Sequence, residues 1–211
     1  MKNFLLISIA AVFFASCSNN SASTKTFCDT TCVKDSIVIN GDAGSEQSLN
    51  IKINNCKPDT ISWSNKNVTR RIAFNEYITK DVRMNPDYIK AAFQDSSVWF
   101  SFNDCITGRG FMLRLPYSST EPIDKMTAAL NSFDKKFSVD EDLRAYTDGG
   151  NIYVVNVKTG QKAEMTFKEA YNMDYDNIHT VLDSINVSKS RIYVKLLKEG
   201  KEVPLEKNIS L

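Results

Sequence analysis

Histidine is nearly missing: the 211 residues hold one, His179. That removes the usual neutral-pH general base, and it excludes zinc sites built on two or three imidazoles. Long apolar runs are missing as well, since no stretch approaches the ~20 residues a membrane-crossing helix requires. Charge of one sign is not in excess either, with 26 Lys and Arg against 25 Asp and Glu. A balanced chain exerts no general pull on phosphate backbones, so nucleic acid is not an expected partner. The glycine-rich phosphate loop, the Gly-x-Ser-x-Gly elbow and the His-Glu-x-x-His pair are all absent from the sequence. These absences together predict a protein with no catalytic activity and no cofactor. What remains is an ordinary globular composition, 42% hydrophobic and 24% charged, in a chain long enough to bury a sizeable core.

The first residues carry the clearest signal. Met1, Lys2 and Asn3 form a short basic start, and Phe4 to Ala15 is an apolar run of signal-peptide length. Ala15, Ser16 and Cys17 follow, with Phe14 where leucine is usual. Small residues directly before a cysteine, after such a run, resemble the lipobox of bacterial lipoproteins, a likeness confined to residues 1–20. The resemblance implies that residues 1–16 are removed and that Cys17 becomes an acylated N-terminus. Several acyl chains at ~0.8 kcal/mol per methylene would hold the protein on a membrane without a spanning helix. The polar stretch that follows has almost nothing to bury, so residues 17–34 read as the lipidated end and its tether, with a single domain over 35–211. No run of acids follows Cys17, which favours the periplasmic face of the outer membrane as the destination.

Beyond Cys17 stand Cys28, Cys32, Cys56 and Cys105, an even number that predicts two disulfides in an oxidising compartment. We expect Cys28 with Cys32, and Cys56 with Cys105, because the latter two each end an alternating apolar run. The alternative use of Cys28 and Cys32 is as a redox or copper-handling pair, since two thiols three residues apart can hold a soft metal or exchange a disulfide.

From Asp35 onward short alternating runs dominate, the mark of half-buried strands. Ile37 and Ile39, then Leu49, Ile51 and Ile53, alternate in this way. Val98, Phe100 and Phe102 do so before a Thr107–Gly110 turn, and Phe111, Leu113 and Leu115 after it, which predicts a hairpin. Two helices are expected within this pattern. Asn85 can cap and Pro86 open a short one carrying Ile89 and Phe93. Thr120 can cap a longer one over 121–137, with Ile123, Met126, Leu130, Phe133 and Phe137 at helical spacing, acids at its start and lysines at its end. The expected fold is therefore α+β: an antiparallel sheet or sandwich of hairpins, with the helix 121–137 packed on it.

A weak repeat marks the last third, where Asn151–Gln161 aligns with Arg191–Lys201 at an offset of 40 residues. Each unit reads as strand, glycine turn and return strand. The spacing resembles that of propeller blades, but only this third matches, so two related hairpins in one sheet or sandwich are expected. Between them, Asn172, Asp174, Asp176 and Asp183 occupy positions 1, 3, 5 and 12 of a partial calcium loop, lacking the central glycine and the closing glutamate. Asp140, Glu141 and Asp142 make a second acidic cluster, read as a hydrated turn. Trp63 and Trp99 are the candidate binding aromatics, since an exposed indole stacks on sugars or peptide side chains. The sequence as a whole predicts a lipid-anchored envelope protein with a binding or structural role, its partners the membrane and an envelope protein or glycan.

Overall fold

In the computed structural model, which describes residues 26–148, 150–167 and 180–211, the chain is mainly β and contains three sheets. The first is a meander in chain order: β1 (Ile37–Asn40), β2 (Ser48–Asn54), β3 (Lys57–Asn65) and β4 (Val68–Ala73), all antiparallel. One helical turn, α1 (Phe74–Tyr77), and a 3-10 turn over Pro86–Tyr88 lead into the second sheet. Its strands are β5 (Ile89–Phe93), β6 (Ser97–Asn103), β7 (Gly110–Pro116) and β8 (Asp124–Ala129). The chain then leaves through β9 (Phe137–Val139) and returns with β10 (Leu143–Asp148), β11 (Asn151–Asn156) and β12 (Lys162–Met165). The seven strands lie in the order β12-β11-β10-β8-β7-β6-β5. The third sheet joins β9, in parallel, to β13 (Leu182–Ser188), β14 (Arg191–Lys198) and β15 (Lys201–Asn208).

Register decides which way each side chain faces. Phe100 stands opposite Leu113 and Phe102 opposite Phe111, on one face of the seven-stranded sheet. That face meets Leu49, Ile51, Ile61 and Trp63 of the first sheet and forms an aromatic core in which Phe102 stacks on both Phe100 and Phe111. Following the partners onward, Met112 opposes Met126, Gly110 opposes Ala129, and Ala129 opposes Tyr146. Parity therefore puts Leu143 and Ala145 on the same face as Phe100. There they meet a second core, with Ile185, Val187, Ile192, Val194 and Leu196 of the third sheet. The two small sheets thus cover two halves of one face.

The other face carries Trp99, Met112, Met126, Ala129 and Tyr146, and it bends. A bulge interrupts the β7–β8 ladder, which strengthens local curvature. Gly110 permits the close approach there, since a Cβ at that position would lie 2.1 Å from the Ala129 carbonyl oxygen. At the far edge Gln94 donates to the Val157 carbonyl at 2.9 Å, so the β5 edge and the end of β11 touch across this face.

Three expectations are corrected. Residues 121–137 are not a helix: β8, a turn and the start of β9 occupy them, because their apolar residues serve different surfaces. Ile123 joins the aromatic core, Met126 faces Trp99, and Leu130 and Phe137 enter the second core. The short helix stops after Tyr88; Asn85 does cap it, accepting from Asp87 N at 3.0 Å, but Ile89 and Phe93 begin and end β5. The two hairpins of the repeat lie in different sheets that face each other, the sandwich form of the expectation and not the single-sheet form. Finally, the cysteines pair as Cys28–Cys105 and Cys32–Cys56. These bridges staple the segment 26–36 to the first sheet and to the β6–β7 turn, and Cys28 N donates to Cys105 O at 3.2 Å. Two disulfides of this kind belong to an oxidising, extracytoplasmic compartment.

Candidate functional site

The bent face encloses a cup of about 250 Å³. Its floor is built by alternation, because every second residue of β5, β6 and β7 faces it: Lys90, Trp99, Ser101 and Met112. Its wall is the passage from Leu130 to Phe133 together with Val139 to Ala145. Asn131 fixes the first part of that wall. Its Nδ2 donates to Phe102 O at 3.0 Å, Asn103 Oδ1 at 2.8 Å and Phe111 O at 3.2 Å, filling the gap left where β8 ends. The second part hangs on main-chain bonds, Asp140 N to Val187 O at 3.0 Å and Leu143 N to Asp140 O at 2.9 Å. A shallower hollow beside Gln94, Asp95, Val157 and Lys158 shares Lys90, Glu141 and Arg144 with the cup, so the two form one groove. An apolar lining with a few polar groups at the rim is the pattern of a ligand site, and a cup of about 250 Å³ suits a small group or the end of a larger ligand.

Charge is arranged unevenly along this groove. Asp142 binds Lys158 at 2.8 Å and Lys189 at 3.0 Å, and these two hydrogen bonds hold its carboxyl below the usual value. The same contact raises Lys158. Arg144 sits deeper, where burial lowers its pKa against the opposing pull of Asp142 and Glu141. Its Nη1 donates to Glu141 O and Leu143 O, both at 2.7 Å. Next to the cup, Tyr146 stacks on Tyr153 at 5.3 Å, and burial pushes its hydroxyl pKa up.

The structure sorts the candidate residues. Trp63 is core, 1% exposed, with its indole N–H on Pro116 O at 3.0 Å and Arg70 over its ring; it offers no binding surface. Trp99 is 6% exposed and is part of the cup floor, in a strand buried on both faces. Cys28 and Cys32 are bonded to different distant partners and so form no dithiol with each other. Asp183 is engaged by Lys136 at 3.0 Å. Asn172, Asp174, Asp176, His179 and Cys17 lie outside the described residues. Among the described residues no group of three or more His, Cys, Asp or Glu side chains could hold a metal ion, and no helix is long and apolar enough to cross a membrane.

Lys90, Met112, Asn131 and Arg144 were not legible as site residues. Arg144 had one weak signal, a lone cation within the alternating run Leu143 to Thr147, on the side that the alternation assigns to Tyr146. Asp140 and Glu141, read as a hydrated turn, lie on the groove rim.

No family model matches the chain, and no curated protein does. Among solved structures it is similar to the N-terminal domain of Nup159, at 12% identity and a TM-score of 0.27. That overlap covers 77% of this chain and 41% of the other, so the chain spans about two fifths of that neighbour's length.

Proposed function

We propose that this chain is a lipid-anchored protein of the bacterial envelope that binds a small ligand or the end of a larger one in the cup on the Trp99 face. The observation that carries the reading is the cup itself: a sheet bent until Gln94 reaches Val157, with a tryptophan on its floor and polar groups at its rim. A sheet face that no sheet covers among the described residues, curved and lined by Trp99, Met112 and Phe133, suits an occupant with an apolar surface such as a sugar ring or a peptide side chain. The anchor rests on the lipobox at Cys17, and the two disulfides agree with it in compartment. The periplasmic face of the outer membrane is the proposed address.

Two measurements test this. Replacing Cys17 with Ser is expected to move the protein from the membrane pellet to the soluble fraction; an unchanged pellet would remove the anchor. A thermal-shift screen of the full chain against envelope glycans and short peptides is expected to yield binders. Ser101→Leu, which fills the cup, is expected to abolish those shifts, as is Trp99→Ala. Binders that tolerate a filled cup would move the site elsewhere.

A further inference from the structure

The two arginines of the bent face differ in their partners. Arg114 holds Glu121 at 2.7 Å and Asp124 at 3.5 Å. Arg144, more deeply placed, has both of its hydrogen bonds from Nη1 and both to main-chain oxygens. Among the described residues no carboxylate lies within ion-pair distance of it, and the Nε–Nη2 edge is left without a partner. Asp142, the obvious candidate, is occupied by Lys158 and Lys189. Lys90, which lines the same groove, also makes no ion pair among the described residues. A partly desolvated cation with no carboxylate at ion-pair distance is costly even with Asp142 and Glu141 nearby, whereas an incoming anion in direct contact offsets that cost.

We propose that the ligand of the cup carries one carboxylate on an apolar body, the carboxylate lying on the Nε–Nη2 edge of Arg144 beside Lys90. The proposal rests on the cup being the binding site. The edge of a guanidinium matches the two oxygens of a carboxylate in a bidentate pair. The apolar body has Trp99, Met112, Leu130 and Phe133 to meet in the cup. Asp140 and Glu141 on the rim act against a second negative charge, so a monoanion fits and a phosphate dianion does not. Free aryl or alkyl acids and the C-terminus of a peptide ending in an apolar residue share this chemistry.

Calorimetry on the full chain tests it with matched pairs: 3-phenylpropionate and its amide, and acetyl-Gly-Gly-Phe as acid and as C-terminal amide. Each acid is expected to bind roughly tenfold or more tightly than its amide, the scale of one charge-assisted pair. Arg144→Gln is expected to bring acid down to amide, Arg144→Lys to restore part of the difference, and phenylphosphonate to bind more weakly than the acid. Lys90→Gln, at an exposed position, is expected to weaken the acid severalfold and the amide less, narrowing the difference between them, which keeps the test independent of any folding defect at Arg144; an undiminished difference in this variant overturns the role of Lys90. Which of the two acids binds better identifies the source. Equal binding of acid and amide overturns the carboxylate and leaves the cup standing, as does an acid preference that survives Arg144→Gln. Failure of all four probes to bind overturns the proposal and counts against the cup as well.

Discussion

The two halves of the covered face are built from different materials. Where the first sheet lies on β5 to β8 the core is aromatic, with Trp63, Phe74, Phe100, Phe102 and Phe111, and both disulfides are found there. Where the third sheet lies on β10 and β11 the core is largely aliphatic; among the described residues Phe137 is its one buried aromatic and no disulfide reaches it. The second half relies instead on interlacing: the chain passes from the central sheet to β9, back to β10, and out again to β13. One half is held by sulfur and stacked rings, the other by the order in which its strands are visited. Among the described residues their main-chain joint is the Ala129–Tyr146 bridge and the Leu130 N to Ala145 O bond of 2.8 Å, with side-chain ties from Asn131 to Phe102 O and Phe111 O and from Gln94 to Val157 O. A main-chain ladder of one pair at the joint predicts that the halves lose structure separately.

The strongest way to break the contrast is to remove Cys28–Cys105. It closes 77 residues, and its loss through Cys105→Ser is expected to cost about 4.5 kcal/mol on the chain-entropy model, against about 3.5 kcal/mol for the 24-residue loop of Cys32–Cys56. Reduction should thus lower protection from hydrogen exchange in β2, β3, β6 and β7 while β13 and β14 hold theirs; equal losses in both halves would refute the separation. Next comes truncation of each core. Phe102→Ala is expected to cost about 4 kcal/mol and Leu196→Ala about 3 kcal/mol, read from denaturant midpoints, because an aromatic held between two rings leaves the larger cavity. At the joint, Gly110→Ala drives a methyl into the Ala129 carbonyl and is expected to cost about 2 kcal/mol, widening the gap between the two unfolding steps.

The smallest effect sharpens the comparison on the second side. Asp142 ties the turn before β10 to Lys158 and to Lys189 in the β13–β14 turn, linking the central sheet with the third. Its carboxyl lies below the ordinary value of 3.8 in the folded state, so its contribution is complete above that value and is lost as pH falls through the acid range beneath it. Asp142→Asn is expected to flatten the acid limb of unfolding for the second half and leave the first unchanged, followed by the two tyrosines Tyr146 and Tyr153 as local reporters.

Strand content was legible because alternation survives wherever one face is covered: the hairpin of Val98–Phe102 and Phe111–Leu115 stands as expected. Residues 121–137 misled for the opposite reason. Helical spacing implies one shared surface, yet Ile123, Met126, Leu130, Phe133 and Phe137 are distributed over two cores and the cup by a bulge and a turn that leave no periodic trace. Disulfide pairing was illegible because the partners of Cys28 and Cys32 depend on where the strap lies. The alternating runs that end at Cys56 and Cys105 suggested that pair and left Cys28 with Cys32; the fold instead carries Cys28 to the β6–β7 turn and Cys32 to the β2–β3 turn. Of the cup, Trp99 was legible as an aromatic of interest, but Arg144 gained its meaning only from the fold, in which no carboxylate among the described residues comes within ion-pair distance of it.

The strap also has a mechanical meaning. A pull along the chain from its N-terminal side meets Cys28 first, and from there the load passes through a covalent bridge into the β6–β7 turn, next to the middle of the central sheet. The four-residue β1, an edge strand that such a force would otherwise peel away one hydrogen bond at a time, lies downstream of both bridges and stays slack. Tension from that side bypasses the loop between Cys28 and Cys105, so β1 to β6 should keep their pairing while the chain is tugged and become exposed to the load once the sulfurs are reduced.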